Sequence, residues 1–139
     1  MRQAQAVLNV ATPGRGLVEF TDQAANFVAR SGMTQGVLNV FIQHTSASLL
    51  IQENADPDVC ADLDRFFSRL VPDDPRLYRH TLEGADDMPA HIRAALTASQ
   101  LAVPVMNGGL GLGRWQGLYV FEHRTSAQRR RVVLHLSGC

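Results

Sequence analysis

A chain of 139 residues, 45% of them hydrophobic, is long enough to form a folded domain with its own core, and we treat residues 1–139 as one domain. Its formal net charge of zero argues against a nucleic-acid-binding surface, and no apolar run approaches the roughly 20 residues of a membrane-spanning helix. All 13 basic residues are arginines, which excludes Schiff-base chemistry and Walker-type phosphate loops, because both need a lysine.

The first third of the chain predicts three strands and one helix. Strand patterns lie at residues 5–10, 16–20 and 36–42. The helix is predicted from Thr21 to about Arg30, with Thr21 or Asp22 as its N-cap and Gly32 as its left-handed end. Because the third strand is apolar on both faces, we expect it to be buried in the centre of a sheet and to lead directly to His44.

The middle third predicts a strand at residues 48–52 and two helices. The link at residues 45–47 fits either a bend or one continuous strand. Asp56 caps a helix that starts at Pro57, and the helical spacing of its apolar residues predicts that Phe66 and Phe67 are buried. After a polar loop, a short helix is predicted from Pro89 to about Ala98. Its expected inward residues are Ile92, Ala95, Leu96 and Ser99.

The last third predicts strands joined by turns. Strand patterns lie at residues 101–106, 110–113, 118–122 and 131–136. Pro104 indicates an edge position, and the Asn-Gly-Gly sequence at 107–109 is typical of a hairpin turn. With seven or eight strands joined mainly by turns, the sequence predicts an α+β fold. Its sheets should be mainly antiparallel and packed as a sandwich, with about three helices covering one side.

Five histidines are present, and three of them lie beside residues that can orient an imidazole ring. His44 is followed by two hydroxyl residues, and His80 and His91 lie near acidic ones. A metal-binding histidine normally has such a partner, so His44, His80 and His91 could form one metal site. The alternative is that each is an ordinary polar residue at the end of an element, and the spacing alone leaves both interpretations open.

The apolar stretch within residues 1–16 is too short for a signal peptide, and we therefore expect a cytoplasmic protein. Cys60 and Cys139 are the only cysteines. A cytosol keeps such thiols reduced, so we expect no structural disulfide.

Several long strings of this sequence resemble the YjbQ-like family, which is described as a family of secondary thiamine-phosphate synthases. The matching blocks are HTSASLLIQENADPDV (44–59), RLVPDD (69–74), YRHTLEGADDMPAHI (78–92), VPV and its hairpin (103–112), GRWQGLYVFEHR (113–124) and RRRVVLHLSG (129–138). One departure is Arg114, which stands where the family often has threonine. The resemblance implies an α+β domain that assembles as a homotrimer, with a site near the subunit boundaries.

The resemblance also implies an activity, in which a pyrimidine pyrophosphate is joined to a thiazole phosphate and pyrophosphate is released. A divalent ion (Zn, Mn or Mg) held by His44, His80 and His91 would neutralise the leaving group. The catalytic candidates are His44, Glu53 and Asp87. The candidates for binding the phosphorylated substrate are Thr45, Ser46, Asn54, Asp56, Arg79, Trp115, Gln116, Arg124 and Arg131.

Each of these assignments has an alternative. Asp56 is explained as a helix cap, Trp115 as a core or interface anchor, and the arginines at 129–131 as a solvated strand end. For the whole protein, the alternatives are a trimer that binds a metal or a phosphometabolite without turnover, and a metal-dependent hydrolase.

Overall fold

Two antiparallel β-sheets, with three helices beside them, make up the computed structural model, which describes residues 1–139. The α+β sandwich and the order of its elements are therefore confirmed. The elements are β1 (Arg2–Thr12), β2 (Gly16–Glu19), α1 (Thr21–Ser31), β3 (Gly36–Ile42), β4 (Ala47–Glu53), α2 (Pro57–Leu70), a 3-10 turn (Pro75–Leu77), α3 (Asp87–Leu96), β5 (Gln100–Met106), β6 (Gly109–Leu110), β7 (Gln116–Glu122) and β8 (Gln128–Gly138). None of the helices has the length and hydropathy that a bilayer crossing requires.

The larger sheet has the strand order β1-β8-β3-β5-β6, and the smaller one has the order β2-β7-β4. Every strand pair is antiparallel. Since β3 and β4 belong to different sheets, the short link between them carries the chain from one sheet to the other. The link is therefore a bend, and the alternative of one continuous strand is wrong.

The core lies between the two sheets and follows the two-residue period of the strands. In β8, Val132, Leu134 and Leu136 are fully buried, whereas Val133 and His135 on the other face are only partly buried. This alternation confirms the faces predicted for the last strand.

One face of the larger sheet is less covered than the sequence predicted. β3 lies in the middle of its sheet, yet Val37 is 44% exposed and Phe41 is 47% exposed. The helices contact other strands, with α2 beside β2 and α3 beside β4. The prediction that β3 is buried on both faces was therefore wrong for the isolated chain.

Helix α2 begins as predicted but buries less than predicted. Asp56 caps it by accepting a hydrogen bond from the Asp58 N–H at 2.9 Å. No residue of α2 is fully buried, and Phe66 is 51% exposed. Phe67 makes an edge-to-face contact with Phe121 at 5.3 Å between ring centroids. The predicted burial of Phe66 was wrong, because the helix lies at the margin of the smaller sheet.

Helix α3 presents a different face to the interior from the one predicted. It starts at Asp87, and its buried residues include Asp87, Ala90 and Arg93, whereas Leu96 is 58% exposed. The apolar pattern was misleading because the helix is oriented by the polar contacts of Asp87.

Of the predicted helix ends and turns, the N-cap of α1 was wrong, whereas the end of α1 at Gly32 and the hairpin turn at residues 107–109 are confirmed. Thr21 does not cap α1, because Phe20 occupies the N-cap position and the Thr21 hydroxyl donates to Glu19 at 2.7 Å. Gly32 ends α1 in the left-handed conformation, with φ of 72°. Asn107 also has positive φ, at 52°, and forms the predicted hairpin turn between β5 and β6.

Candidate functional site

The carboxylate of Asp87 lies at the start of α3 between two imidazole rings. Its Oδ2 atom is 2.6 Å from Nε2 of His80 and 3.1 Å from Nε2 of His91. The Asp87 side chain is 3% exposed, whereas those of His80 and His91 are 43% and 33% exposed. The three residues, called the triad below, are therefore anchored on the carboxylate side and open to solvent on the imidazole side.

Local structure explains why the triad forms. His91 follows Asp87 by four residues in α3, so both side chains lie on the same face of the helix. His80 comes from the polar loop that precedes the helix. One potential ligand atom from each residue lies within 4.8 Å of the other two, which is the proximity that a shared metal ion needs.

The hydrogen bonds of His91 define which of its nitrogens carries the proton. Nδ1 lies 3.0 Å from the backbone carbonyl oxygen of Thr45, which can only accept, so Nδ1 carries the hydrogen. In the neutral ring, Nε2 therefore presents a lone pair to the Asp87 carboxylate, which also only accepts. A metal ion bound between these two atoms, which lie 3.1 Å apart, would satisfy both of them.

The donor set fits a metal ion. A ligating histidine typically donates its other N–H to a carbonyl or carboxylate, as His91 does to Thr45. Two imidazoles and one carboxylate suit Zn²⁺, Mn²⁺ or Fe²⁺ better than Mg²⁺, which prefers oxygen ligands. Three protein ligands also leave coordination positions open, as in catalytic rather than structural sites.

Arg124 holds the Asp87 carboxylate from the side opposite the imidazoles. Nη1 of Arg124 donates to Oδ1 of Asp87 at 2.8 Å, and Nη2 donates to the Glu83 carbonyl at 3.0 Å. Burial on its own would raise the pKa of Asp87, but the hydrogen bond from His80 and the charges of His91 and Arg124 lower it. Asp87 is therefore ionised, and Arg124 orients it instead of offering a free guanidinium to a phosphate.

Asp86 ties the loop before α3 to the turn after β7. Its Oδ2 accepts from Arg124 Nε at 3.0 Å and from the Thr125 N–H at 2.8 Å. Partial burial acts to raise the pKa of Asp86, but these hydrogen bonds outweigh it and lower that pKa to about 2. Asp86 occupies the N-cap position of α3 without capping it, because its side chain is used by this turn.

His44 lies outside the triad. Its Nε2 accepts from the Arg131 backbone N–H at 2.9 Å, and its Nδ1 lies 3.2 Å from Nη1 of Arg130. Burial lowers the pKa of His44, and the nearby Arg130 charge lowers it further, so the ring is neutral. Both of its nitrogens face N–H groups of the chain, and the structure brings Asp87, not His44, together with His80 and His91.

The turn that contains His44 nevertheless contacts the triad. Thr45 supplies the carbonyl that accepts from His91, and Ser46 accepts from Arg130 through both its hydroxyl and its carbonyl oxygen. His44, Thr45 and His91 also line a cleft of about 280 Å³. Of the two predicted substrate-binding residues in this turn, Thr45 contacts the triad, and Ser46 contacts Arg130.

Other candidates lie at the far end of the smaller sheet. Glu53 is the last residue of β4, and Asn54 and Asp56 follow it. The seven residues of β4 span about 20 Å from the start of the strand near the triad. Asn54 Nδ2 donates to Glu19 at 3.2 Å, and Glu53 accepts from the Asp56 N–H at 2.9 Å. Within one chain, these side chains are too far from the triad to share its ligand.

Trp115 and Gln116 lie at that same far end. Trp115 is 53% exposed, with the Arg114 guanidinium 4.7 Å from its ring centroid. Gln116 accepts from the Gly113 N–H at 2.8 Å. The structure therefore divides the predicted site into the triad end and the Trp115 end.

Two predicted phosphate-binding arginines are exposed. Arg79 precedes His80 and makes no side-chain hydrogen bond within the chain. Arg131 uses Nε to donate to Gln43 at 3.0 Å, and its terminal nitrogens make no hydrogen bond. Both cations are free to meet an anionic ligand near the triad end.

Sequence reasoning missed two buried charged residues, Glu122 and Arg130. Arg130 Nε donates to Glu122 at 2.7 Å, and both side chains are almost fully buried. The signal was the strand period, since Arg130 is in phase with the buried Val132 and Leu134.

His123 is a fully buried histidine behind the site. Its Nε2 lies 2.8 Å from the Ser48 hydroxyl oxygen. Burial lowers the pKa of His123 to about 3, and the neighbouring charges of Arg93, Arg15 and Arg130 act in the same direction. Because Ser48 is buried as well, this pair cannot meet a substrate, and His123 is a neutral interior residue.

Comparisons with known proteins all match this chain to one protein family. The sequence model of the family described as "UPF0047 protein YjbQ-like" matches residues 6–139. A UPF0047 protein of Synechocystis sp. is 53% identical over 137 residues, which cover 99% of this chain and 93% of the relative. The UPF0047 protein YjbQ of Escherichia coli O157:H7 is 42% identical over 135 residues, covering 96% of this chain and 97% of the relative.

Solved structures agree with the fold. A YjbQ/UPF0047 family protein from Clostridium acetobutylicum has a TM-score of 0.82 at 30% identity, covering 96% of this chain and 99% of that one. A YbjQ-like protein of unknown function from Sulfolobus solfataricus P2 has a TM-score of 0.85 at 20% identity, covering 99% and 100%. The second likeness concerns the fold alone.

Proposed function

Because the chain belongs to the YjbQ-like UPF0047 family, we propose that it is a metal-dependent enzyme that acts on phosphorylated small molecules. His80, Asp87 and His91 are the metal ligands in this proposal. The observation that carries it is the position of His91 Nε2, which lies 3.1 Å from the Asp87 carboxylate while Nδ1 of the same ring lies 3.0 Å from the Thr45 carbonyl oxygen. A metal ion between Nε2 and the carboxylate satisfies both of them.

The reaction we propose is the one that the sequence resemblance implies, the synthesis of thiamine phosphate. The ring nitrogen of the thiazole phosphate uses its lone pair to form a bond to the benzylic-type carbon of the pyrimidine and becomes a thiazolium nitrogen, as the bond from that carbon to pyrophosphate breaks. Pyrophosphate leaves with the electron pair. A divalent ion, when bound, would neutralise the charge that develops on this leaving group.

The residues around the triad have separate parts in this proposal. Thr45 and Arg124 orient His91 and Asp87, so the ligands are preorganised. The exposed guanidinium groups of Arg79 and Arg131 pair with phosphate oxygens. His44 and Thr45 line the cleft beside His91 and contact the organic part of the substrate. Ser46 lines a second cleft together with His44 and Thr45.

The proposal is tested by incubating zinc- or manganese-loaded protein with the two phosphorylated substrates and measuring thiamine phosphate and pyrophosphate. We expect product with the wild-type protein and none with Asp87→Ala. His135→Ala is the matched control, since His135 lies on the outer face of β8, and it should retain full activity. In a second experiment the protein is expressed in a strain that lacks thiamine-phosphate synthase. Failure to restore growth of that strain would reject the proposed transferase activity.

A homotrimer is part of the proposal. The uncovered face of the larger sheet carries Val37 and Phe41, and α2 exposes Phe66 and Leu70. Exposed apolar side chains that cluster on one face of an element often mark contacts between proteins. Assembly would also give the residues of the Trp115 end a partner surface, which the single chain does not provide.

The trimer is tested by light scattering at micromolar concentration. We expect three times the chain mass of 15.2 kDa. Phe41→Glu places a charge on the exposed sheet face, where it should favour dissociation. Gln23→Glu adds the same charge on the exposed side of α1, away from that face, and serves as the control. A monomer mass for the wild-type protein contradicts this part of the proposal.

A metal-dependent hydrolase is the second candidate. Three protein ligands leave room for a water molecule, and such a site can hydrolyse esters or lactones. Turnover of phosphate esters or lactones without the transferase reaction would favour this candidate. Stabilisation by phosphate compounds without any turnover would instead favour a non-catalytic binding protein.

A further inference from the structure

Glu122 is a fully buried carboxylate to which the proposed reaction gives no part. Its Oε1 accepts from the Thr12 hydroxyl at 2.6 Å and from Arg130 Nε at 2.7 Å. Its Oε2 accepts from Arg130 Nη2 and from the backbone N–H groups of His123 and Arg124, the last two at 3.1 Å. Five donors on one buried carboxylate fix its position, because a buried charge is stable only when fully hydrogen-bonded.

A first set of contacts leads from Glu122 to His91. Arg130 is held by Glu122, and its Nη2 donates to the Ser46 hydroxyl at 3.0 Å and to the Ser46 carbonyl at 3.2 Å. These bonds fix the bend between β3 and β4. The same bend carries the Thr45 carbonyl, which accepts from Nδ1 of His91 and so directs Nε2 at the metal position.

A second set leads from Glu122 to Asp87. The backbone N–H of Arg124 donates to Glu122 at 3.1 Å, which fixes the chain at the end of β7. The Arg124 side chain then donates to Oδ1 of Asp87 at 2.8 Å. Contacts that start at the Glu122 carboxylate therefore orient two residues of α3, His91 and Asp87, along separate routes.

We propose that Glu122 is a positioning residue for the metal centre, acting on His91 through Arg130 and on Asp87 through Arg124. This inference rests on the proposed metal site and adds the residue that preorganises it. Glu122 touches neither ion nor substrate. Its removal should weaken metal binding because the triad loses its orientation.

The first measurement is zinc affinity by calorimetry. Glu122→Gln and Arg130→Lys are expected to lower the affinity about 10–100-fold, the loss typical of changes behind a metal ligand. Thr12→Val removes one hydrogen bond from the same carboxylate without touching either set of contacts, so it is the matched control and should bind zinc as the wild type does. Arg130→Lys keeps a cation beside Glu122, so it can test the same inference if Glu122→Gln does not fold.

The second measurement is the tautomer of His91 in the metal-free protein, read from its ¹⁵N chemical shifts. We expect Nδ1–H in the wild type and in Thr12→Val, and loss of that preference in Arg130→Lys, an effect that general destabilisation does not produce. A wild-type tautomer and wild-type zinc affinity in Arg130→Lys would overturn the inference. If the wild-type protein binds no zinc, the proposed function is wrong. The tautomer of His91 in the wild type and in Arg130→Lys would then still show whether the contacts that start at Glu122 orient His91.

Discussion

Replacing His80, Asp87 or His91 by alanine is expected to remove most of the metal that the wild-type protein binds. The triad supplies only three ligand atoms, and each variant leaves two, which no neighbouring side chain can replace. The losses should be similar in size for the three variants. Metal content measured by mass spectrometry after zinc loading and dialysis gives the stoichiometry directly.

Two further histidine variants make this measurement specific. His135→Ala changes a residue on the outer face of β8 and should keep full occupancy. His44→Ala should lower occupancy less than the triad variants, because both ring nitrogens of His44 face N–H groups of the chain. Equal metal occupancy in the wild type and in all three triad variants would show that His80, Asp87 and His91 are not metal ligands.

The free energy of unfolding is expected to fall as the pH drops from 6.5 towards 3 because of His123. In the folded protein burial lowers the pKa of His123 to about 3, whereas in the unfolded chain this pKa has its ordinary value of 6.5. Between these values the unfolded state binds a proton that the folded state excludes, so acid favours unfolding. The slope from one such group is about 1.4 kcal/mol per pH unit.

Denaturant unfolding of the wild type and of His123→Gln between pH 4 and pH 6 measures this slope. The variant is expected to be less stable at neutral pH but to lose less stability as the pH falls. His135→Gln is the control, and it should keep the wild-type slope because His135 is only partly buried. Asp86, whose pKa falls from 3.8 to about 2 on folding, contributes equally to the wild type and to His123→Gln, so its effect cancels when the two slopes are compared. Parallel curves for the wild type and His123→Gln would contradict the prediction.

The sequence predicted the order of the elements correctly because strand alternation and turn residues are local signals. It failed where a distant partner decides the outcome. Helix α3 is oriented by a polar contact between Asp87 and Arg124, which lie 37 residues apart, so its apolar pattern indicated the wrong face. Phe66 and Phe41 matched buried patterns, but no other element of the chain covers them.

The candidate site was predictable in part for the same reason. His80, Asp87 and His91 lie within one short stretch, and the sequence named all three as candidates, with His44 in place of Asp87 among the metal ligands. The sequence could not show that His44 would turn towards Arg130 and Arg131. Arg130 stands in a run of three arginines that looked like a solvated strand end, although the period of β8 places it with the core residues.

The bend that carries the chain from β3 to β4 couples the triad to the cooperative unfolding of the protein. The carbonyl that accepts from His91 belongs to this bend, so its position depends on both sheets being docked. An ion that binds only the docked arrangement adds RT ln(1 + [ion]/Kd) to the free energy of unfolding, about 2.7 kcal/mol at a hundred times Kd. Cellular supply of the ion would then set how long the folded chain survives, as well as whether its site can work.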